Sequence, residues 1–326
     1  MNFERIGVIG GGAWGTALAQ TVAGDGSPVL LWALEDEVVD AINRDHVNAP
    51  YLPGVALSPA IRATSALAAL NACDLLLVVT PAQHLRGLIG GLETSAPLIL
   101  CSKGIEAESC MLMSEVAGAV SSAPIAVLSG PTFAHEVAAG LPAAVTLACE
   151  DAALGGAMVR RLARPAFRPY GSTDVIGAEI GGAVKNVLAI GCGVVEGRGL
   201  GQNARSALIS RGFAEMTRFG LARGARPETL AGLSGLGDLV LTCSSTSSRN
   251  FSLGKGLGEG RKAAELLADR RTIAEGAFTA PVLRQAAAAV GVDMPVVNAV
   301  CALLDGSAAV DAVVGSLMAR PLRDEG

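Results

Sequence analysis

The sequence predicts an α/β fold: an N-terminal, Rossmann-like, doubly wound and mostly parallel sheet, followed by an all-α domain. Three observations predict it. A short apolar run, Ile6-Gly7-Val8-Ile9, leads straight into Gly10-Gly11-Gly12-Ala13-Trp14-Gly15 and an alanine-rich helical segment. Strand-length apolar runs then alternate with helical segments to about residue 174, the pattern of a parallel sheet. Beyond that point alanine and helical periodicity dominate, and clear strands disappear. The chain therefore divides into residues 1–174 and 175–326, with the cleft between the two parts as the default active site.

The first element reads as strand, G-x-G-x-x-G turn and helix, which is a phosphate cradle. Gly10 permits the tight turn, Gly12 lets a pyrophosphate approach the backbone, and Gly15 lets helix and strand pack closely. The N-terminus of the helix that follows, from Thr16, offers free N–H groups and a positive dipole end to the anion. Residues 1–174 are thus expected to bind a dinucleotide.

Residues 28–33 read as the second strand. Leu34 and Glu35 follow it, where an acidic side chain can accept hydrogen bonds from ribose hydroxyls; a solvated acid opening the helix at 36–44 is the plainer reading. Residues 45–60 are turn-rich. Ile61–Thr64 reads as a strand and 65–71 as a short helix. The continuous apolar run 74–80 marks a strand covered on both faces, and Pro81 suits the first turn of the next helix. Strands are expected at 97–101, 125–129 and 143–148, a helix at 151–163 and an extended stretch at 167–170. Ligands bind beyond the carboxyl ends of such strands, so loops 10–15, 80–83, 102–106 and 130–134 should share one rim. In the second part, helices are expected at 177–196, 206–222, 251–258, 261–268, 281–290 and 296–304. Glycines at 181–182 and 235–237 suggest close helix packing.

The chain has 326 residues, of which 51% are apolar and 17% charged, with 41 glycines. The net charge of −5 points away from nucleic acid and from a membrane surface. Runs such as 74–79 are too short to cross a bilayer, so no membrane span is expected. The N-terminus runs directly into a strand with no leader pattern, so a cytoplasmic location is expected. The seven cysteines are dispersed without a C-x-x-C pair and read as buried free thiols. His46, His84 and His135 lack metal-ligand spacing, and no metal is expected.

A few side chains could carry chemistry. Lys185, followed by Asn186, lies among small and apolar residues. It either snorkels to the surface or is held in a cleft, where partial desolvation would equip it for proton transfer. Lys103 follows the 97–101 strand on the expected rim. Asp238, in a glycine-rich turn, is either a helix cap or the partner of a lysine. Ser248, Arg249 and Asn250 close a hydroxyl-rich loop. Arg249 offers a fork for phosphate, unless the loop is simply a mobile surface. Glu275, in Thr272-Ile273-Ala274-Glu275-Gly276, is unremarkable alone.

Taken in order, seven stretches resemble the NAD(P)-dependent glycerol-3-phosphate dehydrogenases of the soluble bacterial type: GGGAWGTALA, SKGIE at 102–106, SGPTFAHEV at 129–137, KNVLAI, GLGDL at 235–239, SSRNFSLG at 247–254, and AEG with TAPV at 274–282. The resemblance covers nearly the whole chain. It implies interconversion of sn-glycerol 3-phosphate and dihydroxyacetone phosphate, supplying phospholipid synthesis. It implies Lys185 as proton donor and acceptor, Asp238 as its positioning partner, and Lys103 as a catalytic and binding residue. Gly130, Thr132, Lys103, Lys185, Asp238, Ser248, Arg249 and Asn250 would meet the substrate. Gly10, Gly12, Ala13, Trp14, Gly15, Glu35, Lys103, Ala134, Arg249 and Glu275 would meet NAD or NADP. Bacterial members often carry arginine just after the second strand, suited to a 2′-phosphate. Leu34-Glu35 replaces it here, which favours NAD.

Two other readings use the same features. A related β-hydroxyacid or keto-acid reductase keeps the glycine turn and the lysine but needs a carboxylate-binding site. A dinucleotide sensor needs no proton donor. A homodimer is expected from the apolar second part.

Overall fold

The short apolar runs of the first half pair edge to edge into one sheet. The computed structural model describes residues 3–268 and 274–319. Its strands are β1 (Ile6–Ile9), β2 (Val29–Trp32), β3 (Ile61–Thr64), β4 (Leu75–Val78), β5 (Leu98–Leu100), β6 (Ile125–Ser129), β7 (Ala143–Cys149) and β8 (Phe167–Ser172). They lie in the order β3-β2-β1-β4-β5-β6-β7-β8. Every neighbouring pair is parallel except β6 and β7. Alternate residues of β4 explain its unbroken apolar run: Leu75 and Leu77 enter the core on one face of the sheet, Leu76 and Val78 that on the other.

The strand order reverses between β1 and β4. A crevice opens at such a point because the connections on either side run to opposite faces of the sheet. The helices of this region are α1 (Ala13–Val22), α2 (Asp36–Asp45), α3 (Leu85–Gly90), α4 (Met113–Val120), α5 (Ala134–Ala138) and α6 (Ala152–Leu162). Asp151 caps α6 by accepting from the Ala153 and Leu154 N–H groups. The expected helix at 65–71 is a 3₁₀ turn, Leu67–Ala72, and Pro81 opens a second 3₁₀ turn before α3. Helix α4 has no counterpart in the sequence reading.

From residue 175 onward the described residues are helical. The elements are α7 (Val175–Gly197), α8 (Gly201–Ala222), α9 (Pro227–Leu230), α10 (Asp238–Cys243), α11 (Arg249–Gly258), α12 (Ala263–Leu266), α13 (Glu275–Ala289), α14 (Pro295–Leu304) and α15 (Val310–Met318). A π turn, Leu233–Gly237, precedes α10. Asp174 starts α7, accepting from the Gly177 N–H and, with its other oxygen, from the Arg226 N–H, which ties α7 to the segment before α9. Helix α7 is the axis of the second core. It is long and apolar enough to cross a bilayer, but 94% of its most apolar window is buried inside the protein. The most apolar runs were expected to be of strand length; α7 departs from that, since length and composition alone do not separate it from a span, whereas its burial under neighbouring helices does.

Glycines set how closely those neighbours approach. A Cβ on Gly193 of α7 would lie 2.0 Å from the Phe251 carbonyl oxygen, and one on Gly254 of α11 would lie 1.9 Å from that of Ile190. Helix α13 starts at Glu275, not near 281, and carries Pro281 inside it. That proline gives up the bond its N–H would make to the Ala277 carbonyl. Packing against α7 compensates, with Gly276 seated on the Asn186 backbone. Helix α12 is shorter than the expected 261–268, and α9, α10 and α15 were not anticipated. All seven cysteines are free thiols; six are buried and Cys110 is partly exposed.

Gly193→Ala is expected to destabilise the protein by about 1–3 kcal/mol or more, because backbone must move to admit the methyl. Urea unfolding beside wild type measures it, and an unchanged midpoint would contradict the close crossing.

Candidate active site

The crevice at the strand-order reversal begins with the glycine turn. Gly10 has φ +125°, and a Cβ there would lie 2.5 Å from the Val79 carbonyl oxygen. A Cβ on Gly15 would lie 1.9 Å from the Gly10 carbonyl oxygen. These two positions admit only glycine. Gly12 differs: it is the N-cap of α1, no side chain caps the helix, and a Cβ there would meet nothing within 4 Å. The N-terminus of α1 thus faces open space with its first N–H groups unpaired by side chains, and no acidic residue lies in its first turn. That cradle fits the pyrophosphate of a dinucleotide.

Trp14 packs at the margin of a small apolar cluster made by Ala17, Leu52 and Ala138, with Ala134 at the start of α5 beside it. Glu35 follows β2 and is exposed; its Oε1 accepts from the Tyr51 hydroxyl at 2.8 Å. The four rim loops adjoin one another. Gly10 abuts Val79, Ser102 Oγ donates to the Thr80 carbonyl, Gly104 abuts Ala82, and Lys103 Nζ donates to the Gly130 carbonyl at 3.3 Å.

At the far end of that rim, three charged groups meet. Asp238 is fully buried, and each of its oxygens accepts from a lysine. Lys185 Nζ donates to Oδ1 at 2.5 Å, and Lys103 Nζ donates to Oδ2 at 2.7 Å. Lys185 also donates to Thr242 Oγ1 at 3.1 Å. Of the three hydrogens on each ammonium, two are thus committed and one is left for an incoming oxygen. Lys185 is 6% exposed, so it is held in the interior and does not snorkel to the surface. Burial pushes its pKa down to about 8, opposed by the Asp238 carboxylate and reinforced by the neighbouring Lys103 charge.

The remaining predicted residues lie around this cluster. Glu275, at the first turn of α13, has its carboxyl pushed up by burial and held back by Arg249, Lys103 and Lys185. Asn250 is buried, and its Oδ1 accepts from the Gly276 N–H at 2.9 Å, which leaves its amide hydrogens free to donate. Ser248 caps α11, with its hydroxyl accepting from the Phe251 N–H at 3.2 Å. Arg249 is exposed in the first turn of α11. Thr132 Oγ1 lies 3.4 Å from the Gly130 carbonyl. Thr272 and Ile273 of the predicted loop lie outside the described residues. The sequence reading missed Thr242. The signal was available: four residues after Asp238 on a helix, it lies on the same face and reaches the same lysine.

A parallel sheet reversing its order beside a glycine turn, with a buried lysine–carboxylate cluster beyond the strand ends, defines a dinucleotide-dependent oxidoreductase. Two family models match: the NAD-dependent glycerol-3-phosphate dehydrogenase N-terminus over residues 5–155 and its C-terminus over 174–315. The glycerol-3-phosphate dehydrogenase [NAD(P)+] of Erythrobacter litoralis is 64% identical, with 98% of each chain covered. One of that name from Sphingopyxis alaskensis is 61% identical, covering 100% of this chain and 99% of its own. The crystal structure of glycerol-3-phosphate dehydrogenase from Coxiella burnetii matches with a TM-score of 0.93 at 36% identity, covering 98% of this chain and 99% of that one. The chain belongs to the NAD(P)-dependent glycerol-3-phosphate dehydrogenase family.

Asp238→Asn is expected to cost about 3–5 kcal/mol, since two lysines would be left without their counter-charge. Denaturant unfolding at pH 7 measures it. A variant as stable as wild type would mean that the lysines do not depend on this carboxylate.

Proposed function

We propose that this chain interconverts sn-glycerol 3-phosphate and dihydroxyacetone phosphate, with Lys185 moving the proton at the carbon-2 oxygen. The observation that carries the reading is the placement of Lys185 and Lys103 on the two oxygens of buried Asp238, next to the rim of the glycine turn. A bound nicotinamide dinucleotide supplies the hydride for ketone reduction and takes it up for alcohol oxidation. Residues Gly10, Gly12, Ala13, Trp14 and Gly15 would hold its pyrophosphate, Glu35 its ribose, and Ala134, Arg249 and Glu275 its nicotinamide side.

In the reducing direction, negative charge develops on the carbonyl oxygen. The uncommitted hydrogen of Lys185 is the proton that oxygen receives, and Lys103 supports the charge. In the oxidising direction the neutral amine takes the hydroxyl proton. A lysine at the ordinary value near 10.5 would seldom be neutral, whereas one held at about 8 can serve both directions near neutral pH. Asp238 sets that balance and fixes the amine's position. Arg249, Asn250 and Ser248, with Gly130 and Thr132 across the cleft, would anchor the phosphate and thereby orient the reacting carbon.

Residues 1–174 would form the dinucleotide-binding part and 175–326 the substrate part, of which 269–273 and 320–326 lie outside the described residues. A carboxylate at Glu35 repels a 2′-phosphate and accepts from free ribose hydroxyls, so NAD(H) is the preferred cofactor in this reading. A cytoplasmic homodimer supplying glycerol 3-phosphate to phospholipid synthesis completes it.

The first test is NADH oxidation with dihydroxyacetone phosphate. Lys185→Ala should lose about a hundredfold to ten-thousandfold in kcat while still binding NADH. Turnover undiminished in the variant, or none in folded wild type that binds NADH, would overturn the assignment. Comparing kcat/KM for NADH and NADPH tests Glu35: an advantage for NADH is expected, and one for NADPH would refute its role.

A further inference from the structure

The loop after α2 places a buried amide against the phosphate turn. Helix α2 ends at Asp45, and His46, with φ +52°, turns the chain back toward α1. Asn48 then faces inward with 0% exposure, and the backbone of Leu52 pairs with it. Its Nδ2 donates to the Gly11 carbonyl at 2.8 Å and to Thr16 Oγ1 at 2.8 Å, bridging 37 and 32 residues of sequence. Thr16 Oγ1 in turn donates to the same Gly11 carbonyl at 3.3 Å. A carbonyl only accepts, so the amide's nitrogen is the end that faces it. Its Oδ1 has no partner among the described residues.

The carbonyl that Asn48 holds belongs to the peptide joining Gly11 and Gly12. In a planar trans peptide the C=O and the N–H point in opposite directions. Fixing the Gly11 oxygen inward therefore aims the Gly12 N–H the opposite way, away from Asn48, at a partly exposed glycine where an added Cβ would meet nothing within 4 Å. That N–H has no acceptor among the described residues. Turned the other way, the same peptide would present a carbonyl oxygen to an incoming phosphate, and two glycines offer no side-chain barrier to that rotation. An apolar residue at this buried position would be easier to accommodate than an amide with one end unmatched.

We propose that Asn48 is a positioning residue for the dinucleotide: it locks the Gly11–Gly12 peptide with its N–H facing the pyrophosphate. The proposal rests on the reading of this turn as the dinucleotide site. Asn48 touches no ligand; it acts through the backbone of the turn. Tyr51 on the same loop reaches Glu35, so one segment braces both the phosphate and the ribose ends of the expected site.

The test is direct binding of NADH to Asn48→Asp and Asn48→Ala, read by calorimetry and by the emission of Trp14 in the turn. Asn48→Asp keeps the shape but removes both donors. Asn48→Ala serves if the buried acid prevents folding. The dissociation constant is expected to rise about tenfold to a hundredfold in each folded variant, the loss associated with an unmade buried hydrogen bond. KM for dihydroxyacetone phosphate at saturating NADH should stay within about twofold, since the lysine cluster is untouched. A variant with a lowered melting temperature but wild-type affinity for NADH would overturn the proposal and make Asn48 a purely structural residue. Wild type that binds no NADH would instead overturn the dinucleotide reading itself.

Discussion

The arrangement of this protein depends on one carboxylate holding two buried lysines. Asp238 has no exposure and offers one oxygen to each ammonium. A buried charge is tolerated only when it is paired and hydrogen-bonded, so the three groups must be brought together with little slack. They come from distant segments: the loop after β5, the middle of α7 and the first residue of α10. Gly181 makes the approach of α10 possible. A Cβ there would lie 2.3 Å from the Ser234 carbonyl oxygen, and any side chain would push the π turn, and Asp238 behind it, away from Lys185. The glycine-rich character of α7 therefore serves the charge cluster as well as the core.

Two positive charges on one negative charge leave an excess of one, at the end of a cleft whose other end is a helix N-terminus. Both features favour anions, and they are connected through a continuous rim from Gly10 and Val79, through Thr80 and Ser102, to Lys103 and Gly130. The reversal of strand order opens this rim, because β1 and β4 are adjacent in the sheet while their connections depart on opposite sides. A phosphorylated substrate and a dinucleotide bound along this rim would thus find fixed positive potential without the protein carrying net positive charge.

Most of the sheet was legible because its strands are short, apolar and covered on both faces, and because the glycine turn carries its geometry in its spelling. Gly10 and Gly15 proved to be positions where a methyl would strike a carbonyl oxygen. The helix boundaries were less legible. Pro81 and Pro281 both read as helix starts; the first opens a 3₁₀ turn and the second lies inside α13, where contact with α7 outweighs one missing bond. Helix α4 was invisible because its short, small-residue segment gains its order from Glu115 accepting the Leu112 N–H and from Glu179 of α7 accepting from Ser114. The lysine–aspartate geometry could not be read from spacing, since Lys103 and Asp238 lie 135 residues apart. Spacing left Lys185 open between surface and cleft, and Asp238 between cap and partner; their shared burial decides both.

The central claim is that burial, reinforced by the Lys103 charge and only partly offset by Asp238, holds Lys185 at about 8, well below its ordinary value. The most direct measurement is the titration of the lysine Nζ signals by nitrogen-15 NMR in the ligand-free protein, with Lys185→Arg used to assign the resonance. The account predicts one lysine titrating near 8 and absent from the variant. If every lysine titrated near 10.5, Lys185 would be an ordinary solvated ammonium, and the buried cluster could not be the seat of proton transfer.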